Sequence, residues 1–172
     1  MSDNLRGRRV VLRAGTAEDV AELVRIRSTP DVLRRWRGDG NLAESVRDDL
    51  DDPTTVGYVI TLDQHVVGWI QWSEESDPDY RHAGVDIYID PAFHGRGYGT
   101  DAIRTLVRHL IVDHAHHRIV IDPAADNPAA IRTYMKVGFR PVGIMRQYER
   151  DADGTFHDGL LLDMLAEDLT DS

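Results

Sequence analysis

The chain of 172 residues is predicted to form one α/β domain. Three observations point there. Segments with strand-like alternation and segments with helical spacing follow one another along the whole chain, with no repeat, linker or low-complexity block between them. A strand-like run, Val85-Asp86-Ile87-Tyr88-Ile89-Asp90-Pro91, leads through the glycine-rich stretch His94-Gly95-Arg96-Gly97-Tyr98-Gly99-Thr100 into a helix. The length is enough for one sizeable hydrophobic core.

The elements can be read in order. Residues 8–14 alternate and predict a first strand. Thr16-Ala17-Glu18-Asp19 opens a helix through about Arg27, with Val20, Leu23, Val24 and Ile26 apolar. Pro30 starts a short helix to Trp36, and Arg37-Gly38-Asp39-Gly40 is a loop. Asn41 and Glu44 resemble a capping box for a helix to Leu50. Residues 55–62 and 66–73 predict a hairpin around Asp63-Gln64-His65, and a polar loop, 74–82, leads to the strand with Asp86. A helix over 97–112 has Tyr98, Ala102, Ile103, Leu106, Val107, Leu110 and Ile111 apolar. A strand at 117–122, a helix at 128–137 and a final hairpin turning at Asp153-Gly154 complete the chain.

The glycine-rich stretch is chemically suggestive. Glycines remove the Cβ atoms that would hold a pyrophosphate away from backbone N–H groups. The first N–H groups of a helix lack intrahelical partners, and the dipole there favours anions. Arg96 adds a charge and Thr100 a hydroxyl. A Walker A loop would need a Lys that is absent here. A dinucleotide fingerprint would need Gly-x-Gly-x-x-Gly, whereas Gly95-x-Gly97-x-Gly99 is one residue short. Asp122 ends a later strand, as a ribose-binding acid would, but only about fifty residues follow it, too few for a doubly wound sheet. Coenzyme A is the third ligand class.

A second motif follows the strand at 117–122: Asn127-Pro128-Ala129-Ala130-Ile131-Arg132-Thr133-Tyr134-Met135-Lys136-Val137-Gly138-Phe139. Asn127 is a good N-cap, Pro128 suits the first helical position, and Gly138 can end the helix. The two motifs resemble those of the GNAT superfamily of N-acetyltransferases. His94 to Gly99 matches its pyrophosphate motif, with His94 in place of the usual Gln or Arg. The second run matches Asn-x-x-Ala-x-x-x-Tyr-x-Lys-x-Gly-Phe at every named position. The resemblance covers roughly 7–165, and its specific part is 84–139. It implies a single GNAT-like domain spanning 1–172, with a short acidic tail after Leu165. Its central sheet would be mixed and mostly antiparallel, of about seven strands flanked by helices. The strands at 84–90 and 117–122 would run parallel and splay apart.

The resemblance also implies roles. Acetyl-CoA would be the co-substrate. Backbone groups of Ile87, Tyr88 and Ile89 would hold the acetyl and pantetheine parts. His94, Gly95, Arg96, Gly97, Tyr98, Gly99 and Thr100 would hold the pyrophosphate, with Asn127 and Lys136 also on the cofactor. Tyr134 would be the acid toward the departing thiolate. Asp86, on the strand that presents the acetyl group, would be the base for the incoming amine. A carboxylate serves as a base when burial raises its pKa, and otherwise it can bind an ammonium. Taken alone, Tyr134 also reads as a core aromatic, Asn127 as a cap, Asp86 as a solvent-facing strand residue, and Asp122 as an Asp-Pro turn former.

Among GNAT subfamilies the chain looks most like the aminoglycoside 6′-N-acetyltransferases. The resemblance lies in Leu12 to Asp19, Asp31 to Gly38, Val66 to Gln71, Gly84 to Ile87, and Asp122-Pro123. It implies Trp36, Trp72, Asp86 and Asp122 near the acceptor, joined by Asp153 or Asp158 of the last hairpin. Arg37, where that group tends to carry a second Trp, would repel a polycation. Trp69 and Trp72 differ in parity on one strand, so they face opposite ways, and Trp69 is read as core.

Composition sets bounds. Cysteine is absent, which excludes disulfides, Cys-ligated zinc and an acyl-cysteine intermediate, so acyl transfer would be direct or use another nucleophile. Twenty basic against 30 acidic residues give a net charge of −10, the opposite of a nucleic-acid footprint. That acidity suits solubility or steering of a cationic co-substrate. No apolar run is long enough for a membrane span, and a cytoplasmic monomer or homodimer is expected. His109, His114, His116 and His117 crowd a helix-to-strand junction without a recognisable companion carboxylate, and no metal is expected. The expected activity is direct acetyl transfer to a primary amine, the 6′-amine of an aminoglycoside first. The alternatives are a protein N-terminus, a lysine or another metabolite amine, or a CoA-binding sensor that does not turn over.

Overall fold

The structure, a computed structural model, describes residues 3–38 and 40–170. Asp39, expected in a loop, and the last two residues of the acidic tail lie outside the described residues. The elements are β1 (Leu5–Arg6), β2 (Val11–Ala14), α1 (Val20–Arg27), α2 (Pro30–Arg35), α3 (Leu42–Asp51), β3 (Thr55–Leu62), β4 (His65–Glu75), β5 (His82–Ile89), α4 (Tyr98–Val112), β6 (Arg118–Ile121), α5 (Pro128–Val137), β7 (Arg140–Arg150) and β8 (Phe156–Leu165). The eight strands form one sheet in the order β1-β2-β3-β4-β5-β6-β8-β7. Every neighbouring pair is antiparallel except β5–β6. The mixed, mostly antiparallel sheet flanked by helices is therefore as expected, with eight strands in place of seven.

The extra strand has a local cause. Asp101, in the first turn of α4, is buried. Its carboxylate accepts the backbone N–H groups of Arg8 at 3.0 Å, Arg9 at 2.8 Å and Val10 at 3.0 Å. Gly7 closes the turn through its N–H to the Val10 carbonyl at 2.9 Å. The segment expected as a strand over 8–14 thus bends at its start, and β1 folds back antiparallel onto β2. One carboxylate so ties the N-terminal arm to the helix that follows the glycine-rich loop.

Strand parity divides the interior into two layers. Ile60, Ile70, Trp72, Val85 and Ile89 pack with α4 and α5 in the main core, which includes Tyr134. Val59, Trp69 and Tyr88 point the other way, onto α1, α2 and α3. Trp69 is therefore core, as its parity with Trp72 implied. The loop expected at 74–82 is shortened, because β4 runs on to Glu75 and β5 starts at His82. No helix among the described residues is long and apolar enough to cross a membrane.

Asp101→Ala leaves three partly buried N–H donors without their charged acceptor. It should lower stability by roughly 3 kcal/mol, read as a lower urea midpoint; an unchanged midpoint would show that the clamp contributes nothing.

Candidate active site

The parallel pair β5–β6 is the feature around which the site forms. The two strands pair at Ala83 with Ile119 and at Gly84 with Val120, and then part. After Ile121 the chain follows β8 instead: the Pro123 carbonyl accepts the Leu160 N–H at 2.9 Å, and Ala124 bridges to Gly159. On the other side, β5 keeps unbroken register with β4 from His82 to Ile89, and the Asp90 N–H reaches the Val67 carbonyl at 2.8 Å. Backbone groups alternate along a strand. Asp86 and Tyr88 therefore turn theirs to β4, while Ile87 and Ile89 turn theirs into the fork, where no strand pairs them. This corrects one expectation. Tyr88 offers no backbone group to the fork, and its ring lies in the second core with its centroid 4.9 Å from that of Trp36.

At the end of β5 the chain is held in a tight turn. Asp90 caps the Ala92 N–H at 3.0 Å and pairs with Arg25 at 2.5 Å. His94, expected to contact the cofactor, directs its Nε2 to the Ile89 carbonyl at 2.8 Å. Gly95 and Gly97 then take φ values of 73° and 83°, left-handed conformations that glycine adopts without strain. Gly97 is the N-cap of α4. Among the described residues, none accepts a hydrogen bond from the backbone N–H groups of residues 95–100. These free donors, with Arg96 and the helix mouth behind them, fit a diphosphate. One basic side chain here was not legible in the sequence. Arg9 lies over the Tyr98 ring, its guanidinium carbon 4.5 Å from the centroid, and donates to the Arg96 carbonyl. Only the fold of the N-terminal arm brings it to the loop.

The other mouth of the fork is acidic. A groove of about 340 Å³ is lined by Glu74, Glu75, His82, Gly84, Asp86 and Asp122, among others. Glu74 is paired with Arg81. Neither Asp86 nor Asp122 pairs with a cation among the described residues. Asp86 is exposed at the cleft mouth, with protein crowding it from behind. Burial chiefly, then the charges of Asp122 and Glu149, push its carboxyl up from 3.8 to about 6, against a hydrogen bond from Gln71. Gln71 stands across from Asp86 on β4, and its carbonyl oxygen accepts the Trp69 Nε1–H at 2.9 Å. That leaves its amide N–H groups for Asp86. Tyr134 is buried in α5, and its hydroxyl is raised by burial first and then by Asp86 and Asp122. It stays protonated across the physiological range.

The helical layer borders this mouth. Arg27, fully buried, donates to Asp49 at 2.9 Å and to the Arg37 carbonyl at 2.9 Å, fixing the segment after α2. Arg35 reaches Asp126 at 2.7 Å, and Arg37 meets Glu149 of β7 at 3.7 Å. The Arg37 charge, expected to repel a polycation, is thus offset by a carboxylate. Trp36 packs against the second core with its edge on Tyr88.

The remaining expected residues have surroundings of their own. Trp72 is in the main core, on the face opposite Asp86, against His114 and His116, so it forms no wall of the acidic groove. Asp153 accepts from the Thr155 N–H at 2.9 Å and Thr155 hydroxyl at 2.7 Å, folding the tip of the last hairpin. Asp158 accepts the Gln147 N–H at 2.8 Å. Asn127 caps α5 through the Ala130 N–H at 3.3 Å. Lys136 is on the exposed side of the last turn of α5. Tyr148, not singled out in the sequence, donates its hydroxyl to Asp122 at 2.7 Å. At the histidine junction, His109 bonds Asp113 at 2.6 Å, and His114 lies 3.1 Å from His109. Among the described residues no group of three or more side chains gathers to hold a metal.

Residues 9–140 match the family model described as an acetyltransferase (GNAT) domain. The chain is 30% identical over 158 residues to an aminoglycoside N(6′)-acetyltransferase type 1 of Klebsiella pneumoniae, covering 78% of this chain and 75% of that protein. It is 39% identical over 74 residues to the N-alpha-acetyltransferase RimI of Mycobacterium tuberculosis, covering 42% of this chain and 44% of that one. Mycobacterium smegmatis RimJ, solved in complex with CoA-disulfide, shares the fold with a TM-score of 0.84 at 24% identity, over 99% of this chain and 90% of its own.

The Asp86 carboxyl has a pH signature of its own. Its proton is held more tightly in the folded chain than in the unfolded one, so ionising it lowers stability as pH rises from 3.8 through about 6. Asp86→Asn should therefore melt at a higher temperature than the parent at about pH 7.5, and the gap should close by about pH 4. Superimposable melts at every pH would show that the carboxyl is not strained by its surroundings.

Proposed function

The chain belongs to the GNAT acetyltransferase family, and from that premise we propose that it acetylates a primary amine of a small polycation, first the 6′-amine of an aminoglycoside, with acetyl-CoA as donor. The observation behind this is the polarity of the fork. Free N–H groups of residues 95–100 suit the anionic donor on one side, and two carboxylates without cation partners, Asp86 and Asp122, suit a cationic acceptor on the other.

The chemistry needs four things. The donor must be held, the amine must lose a proton, the carbonyl oxygen must be stabilised as it gains charge, and the thiolate must be protonated or hydrogen-bonded. The loop from Gly95 to Thr100 and Arg96 hold the diphosphate, and Asn127 and Lys136 border the arm. The N–H groups of Ile87 and Ile89, open to the fork, receive the thioester carbonyl. The amine nitrogen attacks the carbonyl carbon, and its proton passes to Asp86, whose raised pKa makes it a better base than an ordinary aspartate. The C–S bond breaks as the amide C–N bond is completed, and Tyr134 gives the sulfur its proton. Asp122 binds a second ammonium of the same acceptor. Trp36 borders this mouth.

The similarity to RimI favours a second reading, acetylation of a protein N-terminus. It spans less than half of the chain, whereas the aminoglycoside relative aligns over 158 residues. A panel separates the two: kanamycin, a linear polyamine, a peptide with a free N-terminus and a lysine peptide, each with acetyl-CoA and free CoA as readout. Turnover with kanamycin well above the peptides is expected; preference for the N-terminal peptide would replace the first reading with the second. Acetyl-CoA binding without turnover on any amine would make the protein a sensor.

Tyr134→Phe should lower kcat on the order of a hundredfold, while acetyl-CoA affinity measured by calorimetry stays near that of the parent. Equal turnover in the two proteins would remove the acid role.

A further inference from the structure

Tyr148 has no part in the scheme above, yet the chain builds a particular structure to deliver it. It lies on β7, an edge strand exposed along nearly all its length, and its own ring is half exposed. Three features aim it. The register between β7 and β8 breaks between Met145, opposite Gly159, and Glu149, opposite His157, so residues 146–148 bulge over position 158 alone. Gln147, within the bulge, takes φ 48°, and its N–H is held by the Asp158 carboxylate at 2.8 Å. Gly159 leaves room for the ring: a Cβ there would stand 2.9 Å from Cδ1 of Tyr148. The ring can therefore lie across β8, and its hydroxyl meets Asp122 Oδ2 at 2.7 Å.

We propose that Tyr148 is a positioning residue for the amine acceptor: by donating to one oxygen of Asp122, it holds that carboxylate's charge at the fork beside Asp86, where a second ammonium of the substrate docks. The proposal rests on the acetyl-transfer reading. It assigns a purpose to the strained bulge, and it makes Asp158 and Gly159 supports of the Tyr148 ring.

The surroundings support it. Asp122 has no cation partner among the described residues, so without Tyr148 its carboxylate is free to turn into solvent. The Asp122 hydrogen bond pushes the Tyr148 hydroxyl up to about 12, so it remains a donor throughout the working range. Asp86 is affected by the position of that charge, since Asp122 and then Glu149 are the negative groups that raise it, with Gln71 acting the other way. A merely aromatic wall is the competing role for Tyr148. Tyr148→Phe separates the two, because phenylalanine keeps the ring and loses the donor.

Two readouts test the proposal. In the free protein, the Asp86 carboxyl is titrated by carbon-13 NMR in the parent, Tyr148→Phe, Asp122→Asn and the double variant. Asp122→Asn should lower the Asp86 midpoint. Tyr148→Phe should lower it in the same direction, and the double variant should go no lower than Asp122→Asn alone, because Tyr148 acts through Asp122. In turnover, Tyr148→Phe should raise the KM for kanamycin about tenfold, as loss of one charge-assisted hydrogen bond would, with the KM for acetyl-CoA unchanged. An Asp86 midpoint and an acceptor KM equal to the parent's would overturn the proposal. So would effects that simply add in the double variant. A parent inert toward every amine would overturn the acetyl-transfer reading and the acceptor role with it, while the titration would still decide whether Tyr148 holds the Asp122 charge beside Asp86.

Discussion

The site depends on two parallel strands that pair for two residues and then separate. Parallel pairing at Ala83 and Gly84 brings β5 and β6 side by side. The separation beyond them leaves backbone N–H groups unpaired in the middle of a sheet, a position where they are otherwise satisfied. Past Ile121 the backbone is engaged by β8: the Pro123 carbonyl accepts the Leu160 N–H, and the Ala125 N–H reaches the Asp158 carbonyl. The chain after β6 therefore leaves with β8, while β5 remains with β4. The divergence sets out the candidate groups of the fork: Ile87 and Ile89 on one lip, Asp122 on the other, Asp86 on the sheet surface between them, and Tyr134 buried below.

Charge is sorted across the same opening. The chain carries a net −10, yet the loop at residues 95–100 presents free N–H donors with Arg96 and Arg9 close by. Most carboxylates near the other mouth are already committed. Asp126 and Glu149 meet arginines, Asp158 holds a bulge, and Asp153 folds a turn. Asp86 and Asp122 have no cation partner among the described residues, and burial first, then the Asp122 charge, raises the Asp86 carboxyl. Two neighbouring carboxylates without a cation partner cost stability, a cost that functional sites retain when a cation is to be bound or a proton accepted.

The two helical layers have different tasks. α4 and α5 bury the main core and bring the glycine-rich loop and Tyr134 to the fork. The layer of α1, α2 and α3 is pinned by the buried Arg27, which holds the Arg37 carbonyl, so the segment after α2 is fixed from within. The fully buried Arg27 guanidinium is held by two partners, Asp49 and that carbonyl, while its Nε has none among the described residues.

Much of this was legible in the sequence because it is local. The glycine spacing at 95–99, the Asn127-Pro128 helix start, the Gly138 stop and the alternation of β3, β4 and β5 each follow from a few neighbouring residues. Parity alone set Trp69 and Trp72 on opposite faces. What tertiary structure decided is what depends on distant partners. Asp101 bends the N-terminal arm from 91 to 93 residues away in sequence, adding an eighth strand and carrying Arg9 to the glycine-rich loop. The direction of the Tyr88 backbone follows from register with β4, and the burial of Trp72 from the helix packed on its face. The meeting of Tyr148 with Asp122 requires a bulge, which inserts residues into one strand against its partner and so leaves no periodic trace. Local propensities select elements and their caps; only packing of remote segments fixes which polar groups are left without partners, and in this chain those groups make the site.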